Sequence, residues 1–387
     1  MTKSLRIALV YDAVYPYAKG GGERRFFELG SRLAAKGHSV DWYGMQYWDD
    51  GDGPVANKGI AMHGLCQAKP LYNQAGKRQI GQALIFGLSA FKLIGKNFDV
   101  LDCCGFPYFS LFPAKIATLL RRKPLYATWH EVWGKAYWNE YLGALGFVGA
   151  TVEWLAARLP NVIIVPSQHV ADNLQRQLGV PARKIKVVPN GVDLASLRTV
   201  KASKKAAMQT DLVYAGRIIE HKGLDLLLDS LALLNKRGRR VSLSVVGDGP
   251  ALSDLRAKAL DLGLDDQVHW HGFLPEANDV YVAIKAAKVF VLPSKREGFG
   301  IVVIEANALG VPVLTADYPD NAAKDLIDDG VNGLVFKPAA EDLADAVVDA
   351  LRVGVLKEMR VGSLDFAADF DWEILTDETA AVYRVYS

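Results

Sequence analysis

Short, unbroken apolar runs, each followed by a stretch with apolar residues three or four apart, recur along this chain. That alternation restricts its fold more than any other feature. "RIALVYD" (6–12), "HSVDWYG" (38–44), "DVLDCCG" (99–105), "PLYATWH" (124–130) and "NVIIVPS" (161–167) are runs of the first kind. A strand that is apolar on successive positions must bury both faces, as happens in a parallel sheet covered by helices on either side. Between the first two runs lie Gly20, Gly21 and Gly22 and then "ERRFFELGSRLAAKG" (23–37), whose apolar spacing predicts a helix ending at Gly37. The fold class expected is α/β, with a doubly wound parallel sheet.

The alternation then repeats. "DLVYAGR" (211–217), "VSLSVVGDGP" (241–250), "QVHWHGF" (267–273), "VFVLPS" (289–294) and "VPVLTAD" (311–317) read as strands, with helices over 223–238, 251–264, 276–287 and from about 301. A chain of 387 residues is long for one core, so two Rossmann-like domains facing a cleft are expected. The boundaries fall at 1–195, a polar linker at 196–210, and 211–366. A last helix within 367–387 packs back on the first domain. The apolar stretches at 83–94 and 142–152 are too short to span a bilayer. The start of the chain, interrupted early by Asp12, reads as a buried strand rather than a signal peptide. Cys66, Cys103 and Cys104 have no metal-ligand spacing and read as reduced thiols, so a cytoplasmic protein is expected.

Chemistry concentrates where strands end. In "SKREGFGIVVIEANALGVPV" (294–313) Glu297 and the amides of Gly298, Phe299 and Gly300 follow a strand and precede a helix. Open parallel sheets bind ligands at that edge, and helix N-termini attract anions and hydroxyl-rich groups. Glu297 is placed to accept from sugar hydroxyls and Glu305, two turns on, from a ribose diol. Taken alone, the pair is also what a capping carboxylate and a surface glutamate look like. In "YAGRIIEHKG" (214–223) Arg217 follows a strand and Lys222 precedes a helix, which suits a diphosphate. Alone they read equally as solvated cations. Two cations for a diphosphate and two carboxylates for hydroxyls on one sheet edge are together what a nucleotide-sugar requires.

These residues carry a resemblance. "GGGE" (20–23), "PNGVD" (189–193), "GRIIEHKG" (216–223), "GDGP" (247–250), "HGFLP" (271–275), "EGFGIVVIE" (297–305) and the "DWE…VY" tail resemble, in order, the motifs of family 4 retaining glycosyltransferases of the GT-B fold, the "glycosyl transferases group 1". The resemblance implies that Arg217 and Lys222 hold the donor diphosphate, Glu297 and the amides of Gly298 to Gly300 the donor sugar, and Glu305 the ribose. It places Leu274 by the base and Gly21 and Gly22 against the phosphates. His130, in "ATWHE", matches a family histidine near acceptor and donor sugar; a histidine hydrogen-bonded in a loop is the plainer reading. The implied activity is transfer of a sugar from a nucleotide-diphosphate donor to a glycan or glycolipid hydroxyl with retained configuration, in cell-envelope polysaccharide or glycolipid synthesis. One segment departs from the pattern: "YPDNAAKDLID" (318–328) replaces a Gly-Gly turn and puts Asp325 where the family has glutamate.

Rival readings are testable on the same residues. A dinucleotide oxidoreductase should carry G-x-G-x-x-G after its first strand, and "KGGGERR" (19–25) is not that pattern. Asp50-Gly51-Asp52 has the form of a cation-binding Asp-x-Asp but lies in a polar loop of the first half. No metal site, no cofactor and no nucleic-acid partner are expected. A non-catalytic nucleotide-sugar or carbohydrate-binding protein of the same fold remains the alternative. Residues 1–195 carry 23 Lys+Arg against 14 Asp+Glu, a balance of +9, leaving 22 against 29, or −7, for the remainder. With the aromatics Trp129, Trp133, Tyr137, Trp138 and Tyr141, and the basic, half-apolar stretch 69–96, that balance suggests peripheral contact of the first domain with an anionic membrane face. Scattered solvated lysines and ordinary core packing explain the same residues.

Overall fold

The computed structural model describes residues 4–49, 54–72, 78–204 and 209–386. The chain divides into two compact units, 1–190 with 372–387, and 191–371. The first break falls at Asn190 rather than after 195, and residues 191–204 and 209–210 belong to the second unit. They are not all linker: Leu194–Thr199 is a helical turn whose N-cap, Asp193, accepts from the Ser196 amide at 3.0 Å.

In the first unit the strands are β1 (Arg6–Val10), β2 (Ser39–Gln46), β3 (Val55–Asn57), β4 (Ile60–Gln67), β5 (Val100–Cys104), β6 (Leu125–Thr128), β7 (Val162–Val165) and β8 (Ile185–Val187). They form one sheet in the order β3-β4-β2-β1-β5-β6-β7-β8. The unbroken apolar runs are its interior, as both-face burial requires. On β1, Ile7 and Leu9 enter one buried cluster while Ala8 and Val10 enter the other. All pairings are parallel except the edge pair β3–β4, an antiparallel hairpin turned through Lys58 (φ 45°) and Gly59 (φ 82°). Two successive residues of positive φ are the tight hairpin turn. The sequence reading passed over this hairpin because "NKG" interrupts two short, half-polar runs.

The helix Trp372–Tyr386 also belongs to the first unit, where it lies along the helix Gly21–Ala35. Trp372 and Tyr383 are buried, Tyr126 Oη donates to the Tyr383 carbonyl at 2.9 Å, and Tyr383 Oη donates to Asp102 Oδ2 at 2.5 Å. The terminal element starts at Trp372, not 367; residues up to Ala367 belong to a separate helix, Val353–Ala367.

The second unit has β9 (Leu212–Ala215), β10 (Leu243–Val246), β11 (Val268–Gly272), β12 (Val289–Leu292), β13 (Arg296–Glu297), β14 (Val313–Ala316), β15 (Asp320–Asn321) and β16 (Gly333–Phe336). The six-stranded parallel sheet runs β11-β10-β9-β12-β14-β16, and β13 and β15 pair separately. The chain starts at β9, winds out to β11 and returns to β12 on the other side of β9. That reversal opens a crevice at the carboxyl ends of β9 and β12, where ligands of such sheets bind.

Candidate active site

In the second unit, three residues singled out by sequence lie at the strand ends of this reversal, and two of them are in contact. Arg217 leaves the end of β9, Lys222 lies five residues on, and Glu297 follows β12. Lys222 Nζ and Glu297 Oε1 are 2.5 Å apart, with side chains 19% and 13% exposed. Glycine backbone makes this approach possible. Gly223 has φ 71°, and a Cβ on it would sit 2.2 Å from the Pro293 carbonyl oxygen. The Lys295 amide donates to the His221 carbonyl at 2.8 Å, so residues 221–223 are laced to 293–295. The "GDGP" turn is of the same kind: Gly247 (φ 136°) leaves no room for a Cβ, which would meet Gly216 O at 1.9 Å. The neighbouring Tyr214 hydroxyl donates to the Arg217 carbonyl at 2.8 Å, fixing the backbone that carries this exposed arginine.

Gly300 (φ 89°) caps the helix Ile301–Ala308, and a side chain there would meet Ala323 Cβ at 2.7 Å. Phe299 is buried in the core, so its side chain is structural and only its backbone faces the site. Glu305, half-buried on the helix, accepts from Tyr281 Oη at 2.8 Å. Leu274 packs half-buried on the core just after β11. The departing segment 318–328 supplies β15, which pairs Asn321 with Glu297 and Asp320 with Arg296. Buried Asn321 donates to Thr315 Oγ1 (3.0 Å) and the Ala316 carbonyl (2.7 Å) and accepts from the Ala323 amide. Asn321 thus holds the backbone of the site carboxylate, a role no local sequence signal announces. Asp325 lies in the helical turn Ala322–Leu326 that follows.

The first unit has its own reversal, at β1 and β5, where the segment after β1 leads into the helix Gly21–Ala35; Gly20 is the N-cap and Gly21 and Gly22, expected in a loop, open the helix. Gly22 lies against His130: a Cβ there would be 3.1 Å from His130 Nε2 and 3.2 Å from Tyr11 Oη. A Cβ on Gly21 would meet open space. His130 Nε2 is buried and has no hydrogen-bond partner among the described residues. Burial, and then the charge of Arg25, push its pKa down to about 3, so the ring is neutral at ordinary pH. A neutral imidazole nitrogen without a partner is available to bond a ligand hydroxyl.

Arg25 was not foreseen. It is 1% exposed, and its Nη1 donates to the Pro189 carbonyl (2.6 Å) and Asn190 Oδ1 (2.9 Å), which explains the "PNG" motif. Burial lowers its pKa to about 10, which leaves it charged. Glu23, 7% exposed, accepts from Tyr11 Oη at 3.3 Å, and burial raises its pKa. Of the aromatic group, Trp129 and Trp138 are core residues, while Trp133, Tyr137 and Tyr141 keep partial exposure. Asp50 and Asp52 lie outside the described residues. Among the described residues no group of three His, Cys, Asp or Glu side chains is placed to hold a metal.

Residues 19–196 match the model "Glycosyltransferase Family 4", and residues 198–361 match "Glycosyl transferases group 1". A D-inositol 3-phosphate glycosyltransferase of Saccharomonospora viridis is 33% identical over 241 residues, 57% of this chain and 55% of that protein. The chain therefore spans little more than half of that relative's length. Among solved structures, sucrose-phosphate synthase from Thermosynechococcus elongatus superposes with a TM-score of 0.80 at 21% identity, covering 98% of both chains. Anabaena HepE in complex with UDP-glucose superposes at 0.74 with 19% identity, covering 98% of this chain and 100% of that one. The two matched regions and this fold make the chain a glycosyltransferase of the GT-B type.

Proposed function

We propose that this chain moves a sugar from a nucleoside-diphosphate donor to a hydroxyl of a glycan or glycolipid, with retained anomeric configuration. The role assigned is in cell-envelope polysaccharide or glycolipid synthesis. The observation that carries the reading is the Lys222–Glu297 pair at the sheet reversal, where Arg217 follows the end of β9. Arg217 and Lys222 neutralise the departing diphosphate, and Glu297 and the amides of Gly298 to Gly300 hold the sugar. Glu305 receives the ribose, and His130 with Gly21 and Gly22 supplies the groups of the first unit. Retention rests on the family resemblance. HepE holds UDP-glucose in its complex, which supports a nucleotide-sugar donor here.

Removing one preorganised cation costs on the order of a hundredfold in rate. Arg217→Ala, folded but turning over normally, overturns the assignment. Release of nucleoside diphosphate that depends on acceptor separates transferase from a sugar-binding protein of the same fold. With charge stabilisation supplied by two cations, no metal is required, so turnover persists in EDTA; activity lost there and restored by magnesium or manganese refutes this.

Contact with an anionic membrane at a cytoplasmic face is part of the same reading, with its basic residues revised. Lys77 lies outside the described residues. Arg78, its side chain 8% exposed, is paired with Asp12, so it does not face lipid. No described helix is long and apolar enough to cross a membrane. The helix Ile80–Ser89 exposes Ile80, Leu84, Ile85 and Leu88, followed by Phe91, exposed Lys92 and half-exposed Lys96. Each lysine near an anionic surface adds about 1 kcal/mol. Salt-sensitive binding to phosphatidylserine vesicles, weakened by Lys92→Glu and Lys96→Glu, is the expected result. Binding absent at low salt leaves a soluble acceptor.

A further inference from the structure

The first unit contains an apolar cavity of about 110 Å3 that the sugar-transfer chemistry does not use. Its walls include Phe106, Trp133, Trp138, Ala83 and Val152, with Arg78 at one side. Almost no polar surface faces the cavity, and two polar groups of its wall, Trp138 Nε1 and Tyr108 Oη, are bonded behind it. Buried Glu153 accepts from Trp138 Nε1 (2.9 Å), Tyr108 Oη (3.0 Å) and the amides of Trp133 and Gly134 (2.9 Å each). One carboxylate thereby orients the aromatic wall so that it presents carbon to the cavity. Arg78 stacks over the Phe106 ring at 5.7 Å and spends its charge on Asp12. A sugar ring or phosphate in this space would find few partners for its oxygens, which costs free energy.

The mouth is apolar too. Ile80 and Val148 line the cavity and are 44% and 45% exposed. Leu84 lies one turn from Ile80 on the same helix, and Leu145 and Phe147 adjoin Val148; all three are exposed. Small residues let the walls close: a Cβ on Gly149 would be 2.2 Å from the Trp138 ring, and one on Gly87 2.6 Å from Phe109 Cβ. Two of the lining residues lead toward polar residues of the same unit. Trp133 stands three residues after His130, and Arg78 reaches Asp12 at the end of β1.

We propose that this cavity takes the end of the hydrocarbon chain of an amphiphilic acceptor, a single alkyl or prenyl tail lying across the apolar lip. The proposal deepens the transferase reading by assigning the acceptor to the lipid class. The space holds about four methylenes, each taking a volume near the roughly 30 Å3 of a water molecule in the liquid. Each buried methylene is worth about 0.8 kcal/mol, or roughly fourfold in affinity.

The test titrates the whole protein with ω-bromoalkanols of two to ten carbons, without donor, and reads bromine quenching of tryptophan fluorescence. Trp133 and Trp138 are two of eight tryptophans, so the quench saturates near a quarter. Affinity should rise about fourfold per methylene until the cavity is filled and then level off. Val152→Phe, which fills the space, and Val148→Asp, which charges the lip, should each weaken binding at least tenfold, with circular dichroism and melting unchanged. Quenching that keeps strengthening with every added carbon, or that both variants leave intact, overturns the proposal. So does quenching seen only with brominated phosphatidylcholine vesicles, because it reports surface docking. This measurement needs neither donor nor turnover. Alkanol binding with no transfer activity would sink the transferase reading and leave the cavity assignment standing.

Discussion

Removing the charge on either side of the Lys222–Glu297 pair should have opposite effects on ligand and similar effects on stability. With side chains 19% and 13% exposed, the pair lies between an exposed ion pair, worth under about 1 kcal/mol, and a fully buried one, whose disruption costs about 3–5 kcal/mol. Lys222→Met and Glu297→Gln should each cost about 2 kcal/mol, because each leaves one partner uncompensated. The double variant should cost no more than either alone, giving a coupling of about 2 kcal/mol. Binding separates the two. Glu297→Gln frees the Lys222 ammonium for phosphate, so affinity for a nucleoside diphosphate should hold or tighten, by up to about tenfold, while transfer falls about a hundredfold. Lys222→Met should lose both. Urea denaturation gives the stabilities, and isothermal titration with the diphosphate gives the affinities. Additive stability losses, or weaker diphosphate binding in Glu297→Gln, would show that the two residues do not share one charge balance.

Glu305→Ala should weaken nucleotide binding about tenfold, as expected for a lost charge-assisted hydrogen bond, and Tyr281→Phe should do so only slightly, since the tyrosine hydroxyl merely holds the carboxylate; equal losses in nucleotide affinity for Glu305→Ala and Glu297→Gln refute the division between them. His130, held neutral to about pH 3, destabilises the fold as pH falls below about 6.5, where the unfolded chain takes up a proton that the folded chain refuses. Wild type should therefore lose stability relative to His130→Gln between pH 6.5 and 4, by at most about 1.4 kcal/mol per pH unit; parallel curves would mean that the imidazole is not held neutral. Gly300→Ala should impair folding or the site, because positive φ and the contact with Ala323 both exclude a side chain; a variant with normal melting and turnover contradicts that.

The sequence alone determined the order and type of the main elements, because their signals are local. Ile7 to Val10 are apolar on consecutive positions, and only a strand buried on both faces accommodates that. The glycines after β1, β9 and β12 marked the sheet edge where Gly22, Arg217 and Glu297 lie, since a strand's carboxyl end is fixed by the direction of the chain. Weaker local signals failed. The β3–β4 hairpin is half-polar and at an edge, and β16 is likewise an edge strand, whose Leu334 and Val335 are only partly buried.

Tertiary structure decided which side chains meet. Lys222 and Glu297 are 75 residues apart, and their ion pair exists because Gly223 lets two loops touch. Arg25 stands in a helix whose sequence gives no sign of a partner. Its burial against Pro189 and Asn190, 164 and 165 residues away, makes it a structural anchor. Arg78 looked like a membrane-facing charge, and Asp12 turned it inward. Glu153 carries no motif at all, yet four donors from elsewhere in the fold converge on it and shape the aromatic cavity. Periodicity reports how a residue sits relative to its own element. Partners of a buried charge are set by desolvation, which forces each such group toward whatever opposite group or donor the packed chain brings within reach.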